Sequence, residues 1–264
     1  MRRSALLYAK SATDAAQGSK VIEVNNRDYV LSGYVGASPV RGYYVEGNED
    51  NDNGEPQGFL VHQPSDAVTL PHFHETNQFQ VVVGGSGRFG KRDAFPLSVQ
   101  YANAHTPYGP IVSGPDGITY FTLRARWDPG AKYMPASRDR LVKGNQRSRL
   151  VGGIDVSREE ALAARTDAFT DTLIEPEADH LAAWLLRLPP NAGFKAPDPY
   201  PGGGQYIIVA EGTLIFNGQD YPKLSCLFIT ADEPALAAQA GAGGLELLVM
   251  RFPTSTFGPA GLQA

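Results

Sequence analysis

The chain has a single cysteine, Cys226, in 264 residues, which rules out an intramolecular disulfide framework and a thiolate zinc cluster and fits a reducing compartment. It has no run of about 18 apolar residues, so no membrane-spanning helix is predicted. Arg2 and Arg3 are not followed by the apolar stretch of a signal peptide. It also lacks an excess of basic charge. Its 23 Lys and Arg and 28 Asp and Glu give a net charge of -5 and are spread along the chain, leaving no basic stripe for nucleic acid and no polybasic membrane patch. The expectation is a soluble cytoplasmic protein whose partner is a small-molecule substrate. What the chain does have is 29 Gly and 20 Pro beside 42% hydrophobic residues, a mixture that suits short strands joined by tight turns better than long helices.

Short strand-like runs fill the first half: KVIEV, DYVLSGYV and RGYYVEG, then residues 59–63, 78–83, 97–105 and 118–127. The run at 78–83 alternates, with Gln78 and Gln80 on one face, and GGSG behind it turns the chain back as a hairpin. Many strands at this spacing predict an all-β sandwich or barrel. Ser157 and Glu160 have capping-box spacing ahead of EEALAARTDAF, which predicts one helix of about three turns. The acidic stretch NEDNDNGEP fails as a calcium loop, because the twelfth position would be Leu60 where a bidentate Glu is needed. GSGRFG at 85–90 matches a dinucleotide fingerprint but is followed by Pro96 and no helical pattern, so it reads as a turn. Cys226, in an apolar strand, reads as inert core.

The strand pattern then repeats. Placing Gln205 on Gln78, a shift of 205 − 78 = 127, aligns Val82 with Val209, Gly85 with Gly212, Phe89 with Phe216, Asp93 with Asp220, Leu97 with Leu224 and Pro107 with Pro234. Arg124 falls on Arg251. Chance gives about one or two such identities over that span, so the chain is a tandem duplication of one β module. Under the same shift His72, His74 and His105 become Pro199, Pro201 and Asp232. Prolines cannot ligate a metal, so any metal site belongs to the N-terminal copy. The predicted division is 1–135 for the first module, 136–178 for a linker carrying the helix, and 179–264 for the second.

The segment PHFHETNQFQVVVGGSG concentrates the chemistry. His72 and His74, two apart on a strand, point to one face, and Gln78 and a later His105 complete a candidate metal set. Imidazole donors suit Fe(II), Ni, Mn, Cu or Zn better than calcium or magnesium. Period-two geometry groups Tyr101 and Asn103 with His105, and Gln80 with Gln78. These residues, with Arg124 as an anchor for an anionic substrate, are the pocket candidates.

His72, His74, Gln78 and Gly85 resemble the first signature of the cupin superfamily, with Gln78 where the family has Glu. His105 in LSVQYANAHTPYG resembles the end of the second signature, without the usual Pro and Gly before it. The resemblance implies two jelly-roll barrels, a bicupin whose C-terminal cupin is degenerate. It is similar to three-His cupins such as the dioxygenases that cleave gentisate and β-diketones. What it implies is an Fe(II)-dependent dioxygenase acting on a small oxygenated or aromatic substrate chelated to the metal. The alternatives are a non-catalytic small-molecule-binding cupin and a metal-dependent isomerase. Exposed strand edges are compatible with a homodimer.

Overall fold

The structure is a computed structural model that describes residues 8–36, 54–144 and 146–254. The candidate strand RGYYVEG and most of the acidic NEDNDNGEP stretch lie outside the described residues. Among the described residues no helix is long and apolar enough to cross a membrane.

The fold is all-β, in two compact units. The N-terminal unit, Ala15–Asp155, is built on a nine-stranded sheet. Its main path runs Ser148–Val151, Val99–Ala102, Gln78–Phe89, Ile111–Arg124, Gln57–Gln63, Arg27–Val35, Lys20–Val24. The pairings along this path are antiparallel. A two-stranded ladder of His72–Phe73 with Lys132–Tyr133 lies outside it. One face of the long strands carries the core, with Leu31, Phe59, Val61, Val82, Ile111 and Tyr120 packed together.

The second unit joins Met1–Asp14 to Val156–Ala264. Its sheet order is Tyr8–Lys10, Cys226–Ile229, Gln205–Phe216, Ala237–Arg251, Ala182–Leu188, Phe169–Ile174. The duplication is visible strand by strand. Gln78–Phe89 and Gln205–Phe216 have the same length and pair with partners in the same register, Gln78 against Arg124 and Gln205 against Arg251. Gly85 and Gly212 sit at matching kinks with φ of 67° and 79°. A Cβ on either would stand 2.2 Å from the carbonyl oxygen of Gly117 or 2.1 Å from that of Gly244, so both backbone conformation and space demand glycine.

The two copies differ in what fills them. Gln80 and Thr122, inward-facing in the first, become Ile207 and Val249 in the second, both fully buried in its apolar cluster. Burying side chains of this size contributes about 1.5–3 kcal/mol each. The second barrel is therefore a packed core.

Three expectations are corrected. The expected linker is divided between the units. Ser148–Val151 adds a strand to the N-terminal sheet, and Phe169–Ile174 pairs with Ala182–Leu188 in the C-terminal one. The C-terminal sheet also takes Tyr8–Lys10 at its edge, against Cys226–Ile229. The helix is only Glu159–Ala163, with Arg158 rather than Ser157 at its N-cap. Glu246, fully buried, is the physical reason. It accepts hydrogen bonds from the Ser157 backbone N–H at 3.0 Å and hydroxyl at 2.7 Å. Arg165 and Arg187 pair with the same carboxylate at 2.8 and 2.9 Å. A buried carboxylate needs this compensation, and supplying it pulls both ends of the segment out of helical register.

Candidate small-molecule site

The inward face of the N-terminal sheet closes around a cavity of about 90 Å³, several times what one water requires. Its walls are apolar on one side, from Ile22, Val24, Leu31, Phe59, Val61 and Ile111. The polar groups are Thr69, His72, His74, Gln80, Thr122 and Arg124, with four tyrosines, Tyr29, Tyr108, Tyr120 and Tyr133. Among the described residues no Asp or Glu lines it.

The polar side chains form a chain of directed hydrogen bonds. His72 Nδ1 lies 2.7 Å from the Leu70 carbonyl oxygen, which can only accept, so Nδ1 carries the proton and Nε2 is an acceptor. Nε2 lies 2.9 Å from the Tyr108 hydroxyl, which donates to it. The Gln78 amide nitrogen donates in turn to that hydroxyl. The Gln78 carbonyl oxygen accepts from Arg124 Nε at 3.1 Å and Nη2 at 2.9 Å. Arg124 Nη1 donates to the Gln57 carbonyl oxygen at 3.0 Å, which also accepts the Asp128 backbone N–H at 3.2 Å. The Asp128 carboxylate accepts from His74 Nδ1 at 2.7 Å, the Glu75 and Gly130 backbone N–H groups at 2.9 Å each, and the Thr76 hydroxyl at 3.1 Å.

Arg124 Nη2 is also 3.2 Å from His74 Nδ1 and 3.1 Å from Nε2. In the plane of the ring, near-equal distances would collide with Cε1, so the guanidinium lies across the imidazole face. Burial, with His74 and Arg124 nearby, holds the His72 imidazole down to about 3. Burial and the Arg124 charge lower His74 as well. Both rings are neutral at physiological pH. Burial works against the Asp128 carboxylate, but His74 and Arg124 outweigh it and hold it well below the ordinary carboxyl range. Burial pushes the Tyr133 phenol up to about 12 and Tyr108 higher still, so both remain proton donors.

Of the residues singled out from the sequence, His72, His74, Gln78, Gln80 and Arg124 come together. His105 does not join them. Its φ of 56° turns the chain, and its ring lies on Phe73, centroid to centroid at 5.5 Å, with Nδ1 accepting the Val142 N–H at 3.4 Å. Phe73 alternates with His72 and His74 and faces the other way. Tyr101 and Asn103 share that outer face. Tyr101 pairs in register with Phe79 and packs on it at 4.9 Å, while Asn103 accepts from Arg147 at 3.3 Å. The strand ends at Ala102, before Asn103 and His105, and its inward face belongs to Gln100, which donates to Gln80. A one-residue change of parity exchanges the two faces of a strand.

Tyr108, Asp128 and Gln57 were not singled out. Tyr108 had a local signal, three residues beyond His105 and ahead of Gly109 and Pro110, where the chain bridges back to His72. Asp128 and Gln57 had none, lying 54 residues from His74 and 67 from Arg124. The matching Arg251 has a different task. It donates to the carbonyl oxygens of His180 at 2.9 Å and Asp198 at 3.2 Å, and it lies over Trp184.

In this arrangement the donor set does not fit a divalent metal. The Gln78 oxygen is taken by a guanidinium, His72 Nε2 by a phenol, and Asp128 by four donors. Among the described residues no three His, Cys, Asp or Glu side chains converge as a metal site. A cation there would have an arginine beside it and no anionic ligand.

No family model matches the chain, and no curated protein matches it. Solved structures do. A candidate dioxygenase from Nostoc punctiforme superimposes with a TM-score of 0.58 at 12% identity, covering 96% of this chain and 82% of that one. Salicylate 1,2-dioxygenase from Pseudaminobacter salicylatoxidans gives 0.55 at 11%, covering 93% and 84%. The bacterial pirin YhhW from Escherichia coli, solved in complex with nickel(II), gives 0.52 at 13%, covering 95% and 100%. At these identities the likeness is one of fold, and together with the duplicated all-β architecture it gives this chain the fold of a two-barrel cupin.

Proposed function

We propose that the N-terminal barrel is an enzyme site for a small, oxygenated, anionic substrate with an apolar or aromatic body. The observation that carries this reading is Arg124, a buried guanidinium and the one permanently charged side chain among the described residues that line a largely apolar, tyrosine-rich cavity. A fixed cation in a site of low dielectric attracts a carboxylate or enolate strongly, and the phenol donors suit further oxygens. Beside it, neutral His74 is oriented by ionised Asp128 through Nδ1, leaving Nε2 to accept a proton. The carboxylate would stabilise the imidazolium formed, while Arg124 would hold the negative charge left on a substrate oxygen. The test is a thermal-shift and calorimetric panel of small carboxylates, hydroxyaromatic acids and diketones. Binding by at least one acid, lost in Arg124→Gln, supports the reading, and indifference to the whole panel refutes it. Binding without turnover would make the barrel a sensor or carrier.

A second reading is a dioxygenase that uses Fe(II) or another first-row metal. It is supported by the fold held in common with salicylate 1,2-dioxygenase and by one feature of the histidines. Both Nδ1 atoms are tied to oxygen acceptors, as outer partners do for metal-bound imidazoles. It requires Arg124 to leave Gln78. Oxygen uptake by the purified chain, with and without added Fe(II), distinguishes the two readings.

A further inference from the structure

We infer that the N-terminal barrel works without a metal ion, and that the Arg124 guanidinium, held by Gln78 and Gln57 and lying across His74, supplies the positive charge a metal would otherwise bring. The inference rests on reading this cavity as the functional site.

The argument is one of saturated donors. A metal needs lone pairs that face inward and carry no proton donor. The amide oxygen of Gln78 already receives two N–H groups from one guanidinium. His72 Nε2 receives the Tyr108 hydroxyl. Tyr108 could ligate well only as a phenolate, and the Gln78 amide donates to the same oxygen. Asp128 stands behind His74 with both carboxylate oxygens engaged.

Charge points the same way. The Arg124 guanidinium is a cation fixed in place by Gln78 and Gln57. A divalent ion inside the same buried network would face that cation with two imidazoles, an amide and a phenol, all neutral. Arg124 and Asp128 instead balance each other across Gln57, whose carbonyl oxygen accepts from both the guanidinium and the Asp128 backbone. The duplicated position shows that an arginine here is not bound to this role. Arg251 turns to backbone carbonyl oxygens, whereas Arg124 turns to side chains of the site.

The experiment is titration of Co(II), and separately Ni(II), into the untagged, chelator-treated full chain, read by visible absorption and by the thermal unfolding midpoint. Wild type is expected to show neither a ligand-field band nor a midpoint shift. The triple variant Gln78→Glu, Tyr108→His, Arg124→Ala restores an anionic donor and a third imidazole and removes the cation. It is expected to take up one ion per chain. Wild type binding one ion per chain, with uptake abolished by His72→Ala, overturns the inference. A folded triple variant that takes up no ion also overturns it, because these three residues would then not be what excludes the metal. Should the triple variant not fold, Arg124→Met alone is expected to gain measurable Co(II) binding, and failure to do so has the same force. Metal uptake is read independently of the acid panel, so this inference can fail while anion binding by Arg124 stands.

Discussion

Arg124 and Gln78 face each other in register on neighbouring antiparallel strands, and two N–H groups of the guanidinium converge on one amide oxygen at 2.9 and 3.1 Å. Gln78 is therefore the acceptor that makes a buried arginine tolerable, in addition to whatever it contributes to ligand chemistry. Replacing it with Leu leaves the guanidinium short of an acceptor, and hydrogen bonds to buried charged groups are expensive to lose. Gln78→Leu is expected to lower stability by about 3 kcal/mol, and Gln78→Glu, which keeps an acceptor for Arg124, by clearly less. Urea unfolding of the two variants beside wild type checks the order.

Stability should depend on pH through the buried histidines. His72 is held at about 3 when folded, against about 6.5 in an unfolded chain. Between those values the unfolded state binds the extra proton, so stability falls as pH falls. The slope from His72 alone is about 1.4 kcal/mol per pH unit. Above about 6.5 this dependence vanishes. Asp128, an acid that is also held below its ordinary range, contributes stability that is fully present above about 3.9 and is lost as pH falls below that value. Chemical denaturation at pH 7.5, 6 and 5 should show the slope, and His72→Gln should flatten it. Equal stability at all three pH values would contradict neutral burial of His72.

The paired kinks make a prediction for each barrel. Gly85→Ala and Gly212→Ala each place a methyl group against a carbonyl oxygen at a positive φ. Each is expected to cost about 3 kcal/mol, against about 1 kcal/mol for Gly218→Ala, where the turn is open around the added carbon and only the φ of 73° opposes it. The comparison separates steric collision from the cost of backbone conformation alone, and thermal unfolding midpoints give the reading. A Gly218→Ala loss as large as the others would place the whole effect in φ.

The edge strand Tyr8–Lys10 pairs with Cys226–Ile229, and the Tyr8 ring lies 6.5 Å from that of Phe228. Deleting residues 1–10 should destabilise the C-terminal unit and expose an unpaired apolar edge. Hydrogen exchange should quicken in 226–229 while the strand Gln57–Gln63 of the other unit keeps its protection. Unchanged exchange at 226–229 would mean that the short ladder adds nothing.

Much of this architecture is legible in the sequence because the duplication is gapless through its long strands. Val82, Gly85 and Phe89 recur as Val209, Gly212 and Phe216, and these are the positions the kink and the core require. The site was legible only where residues are close in the chain. His72, His74, Gln78 and Gln80 lie within nine residues, counting 72 through 80, and alternation groups His72 with His74 and Gln78 with Gln80, on either side of a short turn. Alternation also grouped Tyr101 with His105 but could not say which face was inward. That depended on pairing Gln80 with Gln100 across the ladder, which is a tertiary fact. The partners that decide the chemistry of the pair, Asp128 for His74 and Gln57 for Arg124, arrive from distant strands and loops, and their residue types are unremarkable in isolation.

The strand Tyr8–Lys10 also bears on how the chain is made. Its ladder partner lies more than two hundred residues further on, at Cys226–Ile229. During synthesis the N-terminal unit can assemble as soon as residue 155 has emerged, while the strand ahead of it stays unpaired. At roughly 5–20 residues per second, about 10–40 seconds pass between the strand and its partner. The short length of YAK, whose three residues are all half-buried, limits that waiting segment as a sticky template, and the C-terminal sheet is completed by a strand made before the whole N-terminal unit.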